Sequence, residues 1–127
     1  RMPENKYHIT VMPRATYIPE QSDAAAGRYA FSYTITITNT GAVPAQLLSR
    51  HWIITDANNL VQEVRGEGVV GAQPKLKPGE SFEYSSGSLL ATPVGTMRGS
   101  YQMLAEDGER FDAAIPEFTL SVPRVLH

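Results

Sequence analysis

Gly66-Glu67-Gly68-Val69-Val70-Gly71 carries the spacing G-x-G-x-x-G, which in dinucleotide-binding folds lets the backbone approach a pyrophosphate closely. That chemistry needs a strand before the glycines and a long helix after them, because the helix N-terminus receives the negative charge. Here Pro74, Pro78 and Gly79 follow, so no long helix can start, and nucleotide binding through Gly66–Gly71 is not expected. Two readings remain. A glycine loop can cup a small anion with successive N–H groups, with Arg65, Lys75 and Lys77 adding charge. It can also be a plain bend or bulge in a strand.

Other candidates carry less. Asp56, Asn58 and Glu67 fall at positions 1, 3 and 12 of a calcium-loop template, but Leu60 and Val61 stand where a ligand and the required glycine belong. Asp56-Ala57-Asn58-Asn59 reads instead as a turn. The three histidines, His8, His51 and His127, form no pair with metal-ligand spacing. No G-x-S-x-G elbow is present, and Glu106, Asp107 and Glu109 belong to a hairpin tip rather than to a catalytic carboxylate pair. The absence of cysteine removes disulfides, thiolate metal sites and cysteine nucleophiles, and fits a reducing cytoplasm. No catalytic residue, metal ligand or cofactor is therefore expected.

The elements that would position a site are strands. Tyr29, Phe31, Tyr33, Ile35 and Ile37 alternate with Ala30, Ser32, Thr34, Thr36 and Thr38, so 29–39 is a strand with one buried face. A first strand over 7–12 and 15–18, broken at Pro13, suits a sheet edge. Further strands are expected at 46–56, 60–64, 81–86 and 96–105. Asp107-Gly108 then supplies the positive-φ positions of a hairpin turn. Phe111, Ala113 and Ile115 alternate on the return strand, which Pro116 interrupts before Phe118, Leu120 and Val122. Ala24-Ala25-Ala26 is too short to make a helix alone. With 127 residues, 9 prolines and 10 glycines, the chain reads as one all-β domain spanning 1–127, with an ordered core at about 7–123.

An immunoglobulin-like or fibronectin type III-like antiparallel β-sandwich fits best. Trp52 occupies the strand C position, Tyr101 the tyrosine-corner position, and Met103 the place where antibody domains carry a cysteine. Trp52, Tyr101 and Phe31 should then share one core. A net charge of −2 offers no overall basic balance for nucleic acid. No apolar run approaches the roughly 20 residues of a membrane span. The first six residues, Arg1 to Lys6, lack the apolar stretch of a secretory signal, and Met2 is read as the start.

Nearly the whole chain, residues 7–123, resembles the bacterial ApaG family. The likeness is carried by Tyr29-Ala30-Phe31-Ser32-Tyr33, by Arg50-His51-Trp52-Ile53-Ile54-Thr55-Asp56, and by the glycine run with Ala72-Gln73-Pro74. Leu76-Lys77-Pro78-Gly79-Glu80, Phe82-Glu83-Tyr84, Leu90-Ala91-Thr92-Pro93-Val94-Gly95 and Gly99-Ser100-Tyr101-Gln102-Met103 extend it. The resemblance implies a fibronectin-type-III or immunoglobulin-like sandwich and brings no catalytic residues with it. It also implies a genetic link to cobalt resistance and magnesium efflux, and similar domains in eukaryotic F-box proteins and a DNA-polymerase-interacting protein.

The expected function is thus a non-catalytic, cytoplasmic, monomeric module that recognises a protein partner. The alternative is a binder of phosphate, nucleotide or divalent metal. The expected contact surface is the connection 65–79, which is long for a plain loop. In it the apolar Val69-Val70 is ringed by Arg65, Glu67, Lys75 and Lys77, with Gly66, Gly68 and Gly71 between them. Strand alternation supplies a competing reading, in which one valine fills the core.

Overall fold

The computed structural model describes residues 6–124. Eight strands follow in order: β1 (Ile9–Tyr17), β2 (Tyr29–Asn39), β3 (Ala45–Asp56), β4 (Val61–Glu67), β5 (Lys75–Leu76), β6 (Ser81–Leu90), β7 (Val94–Ala105) and β8 (Arg110–Ser121). They form two antiparallel sheets, β1-β2-β6 and β4-β3-β7-β8, with β5 pairing the start of β3. Among the described residues the helical pieces are two single 3₁₀ turns, Pro19–Gln21 and Ala24–Ala26. The second is capped by the Asp23 carboxylate, which accepts from Ala26 N, and by Gly27 in the left-handed region. No helix of the structure is long and apolar enough to cross a membrane.

β2 shows how the sandwich is made. Phe31, Tyr33, Ile35 and Ile37 are buried and their threonine neighbours are not. Those threonines meet partners on β6 across the outer face: Thr34 with Ser85 at 2.7 Å, Thr36 with Glu83 at 3.1 Å and Thr38 with Ser81 at 2.7 Å. From the opposite sheet Trp52, Met97, Tyr101 and Met103 complete one continuous core with Phe31, as the strand phases predict. Trp52 meets Tyr33 and Phe118 edge-on, with ring centroids 5.4 and 5.9 Å apart.

Several boundaries move. β1 runs unbroken through Pro13, which pairs with Ile35. It is an edge strand, so the missing proline N–H can face away from the sheet at no cost in ladder bonds. β8 likewise continues past Pro116, which sits at a register shift where Met97 opposes Phe118 but Gly99 opposes Ile115. β4 reaches Glu67 and β6 reaches Leu90, because each has a long partner strand to follow. In the β7–β8 hairpin only Gly108 has a positive φ, at 93°; Asp107 instead caps the turn by accepting from Glu109 N. Tyr101 is not a tyrosine corner of the backbone-bonding kind. Its hydroxyl lies 2.5 Å from that of Tyr84, a bond that reaches across to the other sheet.

The two long seams of the sandwich differ. β1 packs along β8 and closes one side. On the other side, β6 and β4 are both outer strands. Between them lies a groove.

Candidate functional site

Building the groove begins with a bulge. The β3–β7 register shifts between Leu47 and Ser49, and beyond it Arg50, Trp52 and Ile54 share the inward parity. The bulged Leu48 carbonyl accepts from Gly68 N at 2.8 Å and Gln73 Nε2 at 2.9 Å, so the connection after β4 folds back onto β3. There Val69 and Ala72 exchange both backbone bonds, at 2.8 and 2.9 Å, around Val70 and Gly71 with φ of 42° and 80°. Two positive φ values at the centre of a two-residue hairpin define a type I′ turn, whose usual residues are Asn-Gly. A β-branched residue at such a φ is a true outlier. Val70 is nonetheless there, and 62% exposed, while Val69 is 1% exposed and part of the core.

One valine therefore fills the core, as strand alternation allows, and the other stands in solvent. The glycines serve the fold. A Cβ on Gly68 would lie 2.4 Å from the Ala72 carbonyl oxygen. The N–H groups of Gly68, Val69 and Ala72 are bonded within the protein and are not offered to an anion. The flanking cations do not converge on the loop either. Arg65 and Glu67 border a polar hollow on the outer face with His51 and Asp112. Lys75 lines a separate recess with Pro44 and Glu106, and Lys77 is exposed beyond β5.

The cation that the loop does hold is Arg50, which sequence reasoning overlooked. Its Nη1 donates to the carbonyls of Glu67 and Gly68 at 2.9 and 2.8 Å. Opposite it, Gly66 leaves the space the guanidinium occupies: an added Cβ would lie 2.7 Å from the guanidinium carbon. The signal was present, since an arginine two residues before a core tryptophan on a strand shares its face. Burial pushes the hydroxyls of Tyr33, Tyr84 and Tyr101 above the ordinary tyrosine range, and the charge of Arg50 pulls each back. All three therefore stay neutral near pH 7.

Beside Arg50 is a cavity of about 280 Å³, lined also by Tyr33, Trp52, Val69, Val70 and Ser86. It runs into a second hollow through Ile54, Val64, Gly87 and Ser88, and that into a third through Gln62 and Leu89. Together they make one groove between β4 and β6, from Val70 at one end to Leu60 at the other. Leu60, Val61, Val70 and Leu89, each more than 60% exposed, stand along its rim.

The remaining polar groups assemble no further centre. No cluster of three metal-ligating side chains occurs among the described residues, and His127 lies outside them. Asp56 Oδ1 accepts from Asn58 N and Leu60 N, which makes the failed calcium template a turn. His8 Nδ1 is 2.5 Å from Thr40 Oγ1. His51 Nε2 is 2.8 Å from Glu63 Oε1 and faces Ser100 across the strands, but Ser100 accepts from Gln102 Nε2 at 3.0 Å and shares no hydrogen bond with His51.

Comparison with known proteins adds a family. The ApaG domain matches residues 19–105. "Protein ApaG" of Dechloromonas aromatica is 68% identical over 97% of both chains, and that of Thiobacillus denitrificans 67% over 96% of both. A Bordetella pertussis crystal structure described as an ApaA protein superposes with a TM-score of 0.92 at 56% identity, covering 97% of this chain and all of the other.

Proposed function

This chain belongs to the ApaG family, and we propose that it is a non-catalytic recognition module whose protein partner lies in the groove between β4 and β6. The observation that carries this reading is the groove itself: an apolar-rimmed channel flanked by two strand edges that have no neighbour in the fold. Such an edge offers unpaired backbone groups to an extended segment, and apolar hollows beside it receive alternate side chains. The strained Val70 supports the reading. Holding a valine in a left-handed turn costs stability of order 1 kcal/mol or more, and such outliers cluster at functional positions. The arrangement of three strands against five, the fifth being the two-residue β5, with Trp52 mid-strand in the core, supports a fibronectin-type-III-like scaffold for the module. A cytoplasmic setting is part of the proposal and accords with the lack of cysteine.

The test is site-specific photo-crosslinking in cells. A crosslinker at Leu89, on the groove rim, should capture a discrete protein, and Val70→Asp should abolish the product. The same crosslinker at Met12, exposed on β1, serves as control. Equal capture from both positions, or none from Leu89, would overturn the groove as the contact surface.

A further inference from the structure

We infer that the cavity beside Arg50 receives a carboxylate, carried by an acidic side chain of the segment seated in the groove, an inference that rests on the groove reading above. Arg50 belongs to the inward face of β3, between the two sheets. A half-buried guanidinium gives up part of its hydration there, which a counter-charge would offset. Two neutral carbonyls account for Nη1, and among the described residues no carboxylate lies within ion-pair distance of Arg50. A guanidinium has five N–H donors in a planar fork suited to a carboxylate.

The surroundings fit that occupant. Arg50 is the sole cation lining the cavity, and one positive charge matches one carboxylate rather than a phosphate of nearly two negative charges. Val64, Val69 and Met97 face the same space and suit a short apolar stem. Tyr33, Ser86 and Ser88 add hydroxyl donors. At about 280 Å³ the cavity is ample for one side chain. The wall that an incoming backbone would follow is low: Ser85, Ser86, Gly87 and Ser88 carry no bulk. Gly87 is not demanded by the fold, because an added Cβ would meet only the Phe31 carbonyl oxygen at an ordinary 3.5 Å. Glycine within a strand marks a place where another backbone comes close.

The sole tryptophan, Trp52, lines this cavity and reports on it. In NMR titrations of the full chain, sodium propionate should shift the Trp52 indole resonance saturably in the millimolar range, and the neutral isostere propionamide should not. Arg50→Gln should weaken the propionate response about tenfold or more. Because Arg50 also ties down the loop, Gly66→Ala is the second variant: it keeps the charge but places a methyl where the guanidinium lies, and should weaken binding similarly. An equal response to propionate and propionamide, no response in a protein that melts normally, or full binding by both variants would overturn the inference. Saturation by inorganic phosphate at lower concentration than propionate would overturn the carboxylate as ligand. In cells, Gly66→Ala should reduce the Leu89 crosslink several-fold. An undiminished crosslink removes the acidic side chain and leaves the groove reading standing. A parent protein that responds to propionate without crosslinking at Leu89 removes the groove reading and the peptide source with it.

Discussion

One side of this sandwich is sewn shut and the other is left open. Along β1 and β8 the two sheets meet through apolar contacts. At one end the Tyr7 ring packs 5.5 Å from Phe111 while its hydroxyl donates to Asp107 at 2.6 Å. Along β4 and β6 the sheets part, and a half-buried arginine takes the place that another β-sandwich would fill with an apolar side chain. Both sides draw on the same core, so the gap is not a shortage of apolar residues. It is set by a bulge that turns Arg50 inward, by Gly66 that makes room for it, and by the small residues of β6.

The comparison breaks most visibly at the floor of the groove. Trp52→Ala should cost about 3–5 kcal/mol, read as a large drop in urea midpoint, because it empties the space between Tyr33 and Phe118. Val69→Asp should also be destabilising, because it takes a carboxylate out of water into a position 1% exposed, even with Arg50 lining the same cavity. Val70→Asp, one residue away, should melt no lower than the parent, because aspartate, like asparagine, tolerates the left-handed turn. A fold that tolerated both aspartates would show that the turn does not belong to the core.

The bond between the sheets can be broken by pH. Tyr84 and Tyr101 have folded pKa values raised by burial, well above their unfolded value of about 10. Their contribution is therefore whole below pH 10 and declines as pH rises beyond it, because only the unfolded chain then releases those protons. Stability should be flat from pH 7 to 9 and then fall by about 1.4 kcal/mol per pH unit for each tyrosine. Tyr84→Phe should remove one tyrosine's share of that slope in alkaline urea titrations, leaving those of Tyr101 and Tyr33. An unchanged slope would place the pair in contact with solvent.

Val70→Asn sharpens the contrast in the opposite direction. Asparagine tolerates the left-handed turn, so this variant should gain about 1 kcal/mol in chemical denaturation and lose crosslinking from the groove. A loss of stability would mean that the exposed valine serves the fold. The smallest effect is expected at the closed seam. The hydrogen bond from Tyr7 holds the Asp107 carboxyl below its ordinary pKa, with Lys6 3.2 Å away, but both charged groups are solvent-exposed. Asp107→Asn should therefore shift melting only slightly, by about a degree or two, and less still in high salt. A large drop would show that the closed side is held by charge and not by packing.

Strand phases were legible because burial imposes period two on β2, β7 and β8, and Trp52, Tyr101 and Phe31 share a core as their spacing predicts. Prolines misled about continuity: Pro13 and Pro116 interrupt a pattern without interrupting a strand, since an edge and a bulge each tolerate a missing donor. The site was half legible. Length and odd composition drew attention to residues 65–79, and Val70 is indeed exposed there. The reading failed at charge. Arg65 and Lys75 face different hollows and Lys77 is exposed beyond β5, whereas Arg50 is distant in sequence and lies against the loop. That pairing depends on the bulge at Leu48, which no local pattern announces.

Gly66 and Arg50 also constrain how such a sequence can change. The glycine answers no demand of its own backbone, as its φ is ordinary; its only obligation is to a side chain on the next strand. A lineage that lost the arginine would find position 66 open to many residues. One that first replaced the glycine would have displaced the arginine from its seat before any substitution at position 50. The two positions constrain each other, and the order in which they are altered decides whether the charge is ever left without a place.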